Sequence, residues 1–288
     1  MDARIGILYA ITAMLSWGVA DFLAKKAIDK IGYVKSMMIN LSASLGPILI
    51  CAALFARIQI VSVELVLLVI ITAVFSTIGH FYFYKGLEKG NVCVVSPITS
   101  SWAVITALLA VVVLKEVLMP FQVAGVMVVF VGIFLVSTDL RELGNKLSHG
   151  MSNGASEGIV AMMVWGITFT LAKPLVDIVG PAMTLLFMRG GPFLFVFSWT
   201  RIVRTNLTIP SKSILLFLIL SGLLDTLGFL AYNFGVTTEF VSIVSPIAAT
   251  FPAVTIILAY MFLNERVVNS QKLGIVAILA GLVLISLI

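Results

Sequence analysis

Long apolar runs separated by short polar loops dominate this chain of 288 residues. A helix needs about twenty mostly apolar residues to cross the hydrocarbon core of a bilayer. The pattern predicts ten transmembrane helices, called spans 1 to 10. They cover residues 4–24, 33–55, 65–86, 91–114, 121–138, 156–176, 181–201, 213–235, 241–263 and 271–288. The predicted fold class is therefore an all-α integral membrane protein with ten spans around a central cavity.

The spans form two copies of five. Residues 13–32 (AMLSWGVADFLAKKAIDKIG) and 161–180 (AMMVWGITFTLAKPLVDIVG) are identical at nine of 20 positions. The match continues through Ser-Pro-Ile at residues 96–98 and 245–247, Glu116 with Glu265, and spaced glycines after each glutamate. The sequence predicts a first repeat over 1–143, a Gly/Ser/Asn-rich linker over 144–156 and a second repeat over 157–288. A duplicated membrane bundle is the usual architecture of a solute transporter.

The distribution of basic residues predicts the orientation of both repeats. Of the 18 Lys and Arg residues, one side of the predicted membrane holds only Arg4, Arg57, Lys115 and Lys173, Arg189 lies inside span 7, and thirteen lie on the other side. Basic loops remain cytoplasmic, so both termini are predicted to be extracytoplasmic in the cell membrane. Five spans per repeat is an odd number, so the second repeat must be inverted, and the charge bias reverses in all four pairs of equivalent loops.

Composition agrees with a protein that lies almost entirely in the bilayer. Hydrophobic residues make up 61% of the chain and charged residues 11%. A soluble domain carries roughly twice that charged fraction. The net charge of +5 arises from the loops and indicates no nucleic-acid partner. Two histidines and two distant cysteines give no metal-ligand spacing, so we expect neither a metal nor a cofactor.

The repeated residues resemble the EamA-type repeats of the drug/metabolite transporter superfamily. The resemblance rests on Trp-Gly in spans 1 and 6, Ser-Pro-Ile opening spans 4 and 9, and the glutamate that follows each of those spans. It covers nearly the whole chain and implies ten helices around a cavity, with spans 5 and 10 peripheral. It implies a small-molecule substrate such as an amino acid, nucleotide sugar, sugar phosphate or quaternary amine. Some members are described with cytoplasmic termini, whereas the charges of this chain predict the opposite orientation.

Arg189 and Asp225 are the ionisable residues closest to the middle of their spans. Charges at that depth are costly, so they face a cavity or a partner. One interpretation is a mutual salt bridge that joins two helices. In the other, Arg189 binds an anionic group, and Asp225 binds an amine or a coupling proton.

Two polar faces occupy equivalent positions of spans 3 and 8. Asp225, Phe229, Tyr232 and Asn233 share one helical face, and Ser76, His80, Phe83 and Tyr84 share the matching face. We predict that both faces line one cavity, with helix-to-helix hydrogen bonding as the alternative. His80 is also a candidate for proton coupling.

Span 1 carries a ridge of Trp17, Asp21 and Lys25. Asp21 and Lys25 are interpreted as a surface ion pair, with proton coupling as the alternative role for Asp21. Trp17 and Trp165 are predicted to border the cavity, where aromatic faces can bind a cation. Packing or interfacial anchoring is the alternative for both tryptophans.

The favoured function is secondary active transport of a small polar or zwitterionic, amino acid-like metabolite by alternating access, coupled to protons or to exchange. The chain contains no GxxxxGK[ST] phosphate-binding loop for ATP. One alternative is a carrier of quaternary amines or of phosphorylated or nucleotide-linked metabolites. Alternatives of another class are a membrane enzyme acting on lipid-linked substrates, and a channel or scramblase. The partners expected are the substrate and the lipid bilayer, and a homodimer is left open.

Overall fold

The computed structural model describes residues 3–55, 62–90, 92–137, 153–205, 208–263 and 269–286. Every regular element within these ranges is helical. The helices are α1 (Ala3–Ile31), α2 (Tyr33–Phe55), α3 (Val63–Lys89), α4 (Val92–Ser100), α5 (Trp102–Val113), α6 (Pro120–Ser137), α7 (Ala155–Val179), α8 (Pro181–Ile202), α9 (Lys212–Thr238), α10 (Val241–Ala248), α11 (Phe251–Leu263) and α12 (Asn269–Ser286).

Within the described ranges, eight segments are long and apolar enough to cross a membrane. Two of them are helix pairs, α4 with α5 and α10 with α11. Predicted spans 5 and 10 correspond to α6 and α12, whose apolar stretches are shorter, at Pro120–Leu135 and Lys272–Gly281. The structure therefore shows an all-helical, multi-pass membrane protein with eight candidate spans. A total of ten spans stays a prediction.

The outer surface of the bundle is apolar, and many of the side chains inside it are polar. Leu54, Leu108 and Val276 expose more than half of their surface, as expected of lipid-facing residues. Serine, threonine and asparagine side chains are buried between the helices, together with Arg189. This arrangement suits a bilayer, where apolar surface needs no covering and polar groups need partners inside the protein.

The segments for spans 4 and 9 are each divided by a turn between two helices. Pro97 and Pro246 lie inside α4 and α10. Proline lacks the amide hydrogen that a helix interior requires, so each segment loses a backbone hydrogen bond. Hydroxyl groups bond to carbonyls beside the turns: Ser101 donates to Pro97 O at 3.2 Å, and Thr250 donates to Ile247 O at 2.7 Å. Both spans are therefore bent at equivalent places.

The contacts between the two halves occur in equivalent pairs. In each pair, the first half supplies in one contact what the second half supplies in the other. α1 packs against α9, and α7 packs against α3. An added Cβ at Gly228 would lie 2.6 Å from Nε1 of Trp17, and one at Gly79 would lie 2.2 Å from Nε1 of Trp165. Each tryptophan thus fills a notch that only glycine leaves open. The notches fix α1 to α9 and α7 to α3 in the same way.

Further pairs repeat this exchange. Thr255 on α11 donates to Gly18 O on α1 at 3.0 Å, and Thr106 on α5 donates to Gly166 O on α7 at 3.0 Å. α6 packs against α12. In that pair, a Cβ at Gly132 would meet Gly274 O at 2.8 Å, and one at Gly281 would meet Gly125 O at 2.9 Å. All of these paired contacts join one half of the chain to the other, so the halves form one interlocked bundle.

Candidate functional site

A narrow cavity lies at the centre of the bundle, between α1, α3, α7 and α9. It follows two turns of α1, from Trp17 to Ala24, and its water-accessible volume is about 30 Å³. A cavity of that size holds about one or two water molecules. Eight of the residues predicted from the sequence to border a cavity line it. They are Trp17, Asp21, His80, Phe83, Tyr84, Trp165, Asp225 and Phe229.

Arg189 is fully buried beside the cavity and does not line it. Its Nη2 lies 2.7 Å from Asp225 Oδ2 and also donates to Asn40 Oδ1 at 3.1 Å and Ser44 Oγ at 3.3 Å. Nη1 lies 2.6 Å from His80 Nε2. The salt bridge joins α8 to α9, as the first interpretation of this pair expected. A role for Arg189 in binding substrate stays a prediction.

His80 is held in one tautomer by this network. The guanidinium of Arg189 only donates, so Nε2 of His80 accepts and carries no hydrogen. Nδ1 lies 2.9 Å from Ser76 O, and it can therefore donate to that carbonyl. Both ring nitrogens are thus engaged, and the ring is neutral. Proton coupling through His80 stays a prediction that would require these bonds to change.

The rest of the network joins the helices around the cavity. Asn40 donates to Ser221 Oγ at 3.0 Å, and Ser221 donates to Ala20 O at 2.9 Å. Ser44 donates to Gly222 O at 3.1 Å. The sequence analysis did not single out Asn40, Ser44 or Ser221. An asparagine inside an apolar run was the available signal, because amides at membrane depth need partners.

Asp21 faces the cavity, and its interpretation as the ion-pair partner of Lys25 is wrong. Its Oδ2 accepts a hydrogen bond from Ser96 Oγ at 3.1 Å, whereas Lys25 lies 2.7 Å from Asp29. Lys25 lies one helical turn from both aspartates, so helix geometry allows either pair. The carbonyls at the C-terminal end of α3 bind the ammonium group of Lys25 on the side of Asp29. Lys25 donates to Leu87 O at 2.7 Å and to Gly90 O at 3.0 Å, at the end of that helix.

Aromatic rings form most of the cavity wall. Trp102 stacks on Phe169 with ring centroids 4.0 Å apart, and Phe169 stacks on Phe229 at 5.7 Å. Trp17 and Trp165 also line the cavity, each fixed in its glycine notch. Their indole Nε1 atoms are buried without a hydrogen-bond partner, and the notch contacts place these atoms against helix backbone. The tryptophans therefore offer ring surface to the cavity.

Two residues of the predicted span 8 face lie outside the cavity lining. Tyr232 lies 2.8 Å from Ser245 Oγ, and Asn233 donates to Pro181 O at 3.1 Å. On the matching face of α3, Ser76 donates to Met188 O at 2.6 Å. The cavity covers only part of each face, because neighbouring helices bind the remaining polar groups. Binding of substrate by Tyr232 and Asn233 stays a prediction.

The two ends of the bundle differ although their sequences correspond. Lys25 and Lys173 are equivalent, and each pairs with an aspartate one turn later, at 2.7 Å from Asp29 and 2.6 Å from Asp177. Lys25 also bonds to the C-terminal end of α3. Lys173 instead lines a cleft with a water-accessible volume of about 440 Å³, together with Val236 and other residues at the C-terminal end of α9. The hydrogen bonds of Lys25 join two helices at one end, and the equivalent end has a cleft instead.

Glu116 borders the same cleft and caps α10. The amide groups of Val241 and Ser242 both donate to its carboxylate at 2.9 Å, and the hydroxyl of Ser242 donates as well. A carboxylate at a helix N-terminus satisfies free amides and complements the helix dipole. Its equivalent, Glu265, lies outside the described residues. Within the described ranges, no group of three or more His, Cys, Asp or Glu side chains could hold a metal ion.

Comparisons with known proteins agree with this architecture. The model of the EamA-like transporter family matches residues 4–138 and 153–287, once in each half. The protein MJ1333.1 of Methanocaldococcus jannaschii is 30% identical over 142 residues, which are 48% of this chain and 98% of that protein. A solved crystal structure superposes with a TM-score of 0.76 at 14% identity, covering 98% of each chain, and this likeness shows the fold alone.

Proposed function

Because the chain belongs to the EamA-like transporter family, we propose that it is a secondary active transporter that moves a small polar metabolite by alternating access. The sequence contains no phosphate-binding loop of the GxxxxGK[ST] type, which favours a gradient or exchange as the driving force over ATP. Transport coupled to protons or to a counter-substrate fits this proposal. The central cavity is the proposed binding site.

The exchanged contacts between the halves support inverted repeats. Trp17 meets Gly228 where Trp165 meets Gly79, and Thr255 bonds to Gly18 where Thr106 bonds to Gly166. Two copies of one unit produce such paired contacts when a pseudo-two-fold axis relates them. Inverted repeats place that axis in the plane of the membrane. The predicted five spans per repeat and the reversed charge bias support the same relation.

The observation that carries alternating access is the difference between the two equivalent ends. Lys25 joins α1 to the end of α3, and Lys173 leaves a cleft beside the end of α9. In an inverted pair, these ends lie on opposite sides of the membrane. The structure then corresponds to one state of the cycle, closed at the Lys25 end. In the other state, Lys173 would bond to the C-terminal end of α9, and Lys25 would separate from the C-terminal end of α3.

An amino acid-like zwitterion is the substrate class that the sequence favoured. Asp225 and the aromatic wall suit its ammonium group. To bind the substrate carboxylate, Arg189 would have to separate from Asp225 and turn toward the cavity. The guanidinium of Arg189 now contacts the carboxylate of Asp225 and three neutral acceptors. A substrate that exchanges partners with this salt bridge would couple binding to movement of α8 and α9.

Distances between spin labels at the two ends test the alternating-access proposal. The equivalent pairs are Lys30→Cys with Glu88→Cys, and Ile178→Cys with Thr237→Cys, in a background without Cys51 and Cys93. In nanodiscs, we expect a short distance for the first pair and a long one for the second, with a minor population in which both are reversed. Distances that never change, or that lengthen together, would contradict the proposal.

The proposed orientation places the termini outside the cell membrane. Ser62 precedes α3 on the proposed outer side, and Ser211 precedes α9 on the proposed cytoplasmic side; both are exposed. A membrane-impermeant thiol reagent applied to intact cells should label Ser62→Cys and leave Ser211→Cys unlabelled until the cells are opened. The reverse labelling pattern would show that the orientation is inverted.

A further inference from the structure

We propose that Asp21 is the anionic anchor of the central cavity and that the substrate is a small organic cation with an ammonium group and an apolar body. This inference rests on the proposed function, because it takes the central cavity as the substrate site. It differs from the amino acid-like substrate described above, because a cation without a carboxylate does not require a cationic anchor.

The charges around the cavity support this assignment. Two carboxylates line it, those of Asp21 and Asp225. The carboxylate of Asp225 is neutralised by Arg189 at 2.7 Å. The oxygen Oδ2 of Asp21 accepts a bond from a neutral hydroxyl, that of Ser96. Lys25, one turn away on α1, bonds to Asp29 and to two carbonyls of the α3 end. Among the described residues, no basic side chain pairs with Asp21, so it is the lining carboxyl group without a basic partner.

An isolated carboxylate at membrane depth is costly and acquires a partner when one is available. A substrate ammonium group can supply that partner. The water-accessible volume of about 30 Å³ beside Asp21 suits a group of about the size of a water molecule, such as an ammonium head. The remaining space is too small for the body of the substrate, so the aromatic walls would have to separate to admit it.

The walls suit a cation with an apolar body. The rings of Trp17, Trp165, Phe83 and Tyr84 line the same cavity as Asp21. Ring faces attract cations through their quadrupoles. Their remaining surface favours hydrocarbon over water. The equivalent of Asp21 in the second repeat is Phe169, so a single anchor is present and the site takes one positive charge.

A matched set of ligands tests the proposal on the purified protein in nanodiscs. Pentylamine, norleucine, pentanoate and pentanol have similar bodies and differ in charge. Binding is measured by calorimetry and by the rise in apparent Tm that a bound ligand causes. We expect pentylamine to bind, norleucine to bind more weakly, and pentanoate and pentanol not to bind. Pentyltrimethylammonium separates charge recognition from hydrogen-bond donation to Asp21, because it has charge and no N–H group.

Variants separate an anchor from a structural residue. Asp21→Asn should weaken pentylamine binding by about 10- to 100-fold, since it removes a charge from an ion pair, while Asp21→Glu should retain it. Glu64→Gln removes an exposed carboxylate at the start of α3, away from the cavity, and serves as the control with unchanged binding. Without ligand, Asp21→Asn should unfold at a temperature equal to or above that of the wild type, because the amide can still accept from Ser96 and the substitution removes a lining carboxyl group that has no basic partner.

Several results would overturn the proposal. Norleucine or pentanoate binding more tightly than pentylamine would refute the cation assignment and leave the cavity as the site. Unchanged pentylamine binding in Asp21→Asn would assign the anchor to another residue. Absence of binding by all five compounds would refute this ligand class. The spin-label distances require no ligand, so a failure here remains distinguishable from a failure of alternating access.

Discussion

The Lys25 end and the Lys173 end share a lysine–aspartate pair and differ in structure. Each lysine follows a Trp-Gly pair by the same spacing and reaches the aspartate one turn later. Only Lys25 also reaches the end of the neighbouring helix, at Leu87 O and Gly90 O. The shared lysine–aspartate pair therefore does not by itself explain the difference. Both repeats carry the lysine–aspartate pair. In this conformation, only the lysine of the first repeat also bonds to the end of a neighbouring helix.

The glycine notches explain how the ends can be coupled. Trp17 fixes α1 to α9, and Trp165 fixes α7 to α3. Each pair can then move as a unit, while contacts such as Lys25 with the α3 end connect one pair to the other. Closing one end by tilting the pairs would open the opposite end. The predictions below test the parts of this comparison, from the largest expected effect to the smallest.

The largest effect is expected from the Arg189 network, whose salt bridge to Asp225 has no equivalent in the first repeat. The position equivalent to Asp225 there is Ser76, which cannot form such a bridge. Asp225→Asn should lower the free energy of unfolding by about 3–5 kcal/mol, because it leaves a buried guanidinium without its counterion. Chemical denaturation in mild detergent measures this loss. The double variant Arg189→Met with Asp225→Leu should recover most of the stability, and failure to do so would show that the network stabilises by more than charge pairing.

Filling either glycine notch should damage the protein to a similar extent. Gly79→Ala and Gly228→Ala place a Cβ within 2.2 Å and 2.6 Å of a tryptophan. Overpacking of that kind costs about 1–3 kcal/mol. Gly190→Ala is the control, since a Cβ there meets nothing within 4 Å and alanine favours a helix. Thermal unfolding should show the two losses and no loss for the control. A loss confined to one notch would contradict their equivalence.

Removing the lysines should affect the two ends unequally. Lys25→Met removes bonds to Asp29, Leu87 and Gly90, so it should raise the population open at that end by about tenfold, which corresponds to about 1.4 kcal/mol. Lys173→Met removes only the pair with Asp177 and should change the distances in this state little. The spin-label pairs of the two ends measure both effects. Equal responses to the two substitutions would show that the ends are not in different states.

The smallest effect is expected at the cap beside the open cleft. Glu116→Gln keeps a hydrogen-bond acceptor at the start of α10 and removes the charge that complements the helix dipole. The expected cost is about 0.3–1 kcal/mol. Glu116→Ala removes the acceptor as well and should cost more. Denaturation of both variants checks this order, and equal stability of all three proteins would exclude a capping role.

Much of the architecture followed from the sequence because the physical signals were long and repeated. Twenty-residue apolar runs predict membrane helices whatever their neighbours are, and the duplicated Trp-Gly and Ser-Pro-Ile elements indicate a two-copy bundle. The Ser-Pro-Ile elements also place Pro97 and Pro246 inside spans 4 and 9, which the structure shows to be bent there. The cavity lining was anticipated in part, because charges and aromatic residues in such runs need an interior position, as Asp225 and Trp17 illustrate.

Partner choice was decided by tertiary structure. Lys25 had two aspartates within one turn, and only the position of the α3 end directed it to Asp29, which left Asp21 facing the cavity. Tyr232 shared a helical face with Asp225, yet Ser245 on a neighbouring helix bonds to it outside the lining. Helical periodicity fixes which residues share a face. It does not fix where a cavity begins along that face, because this depends on helices that are distant in the chain. For the same reason the sequence determined two equivalent ends, and the packing of the helices decided which of them is closed.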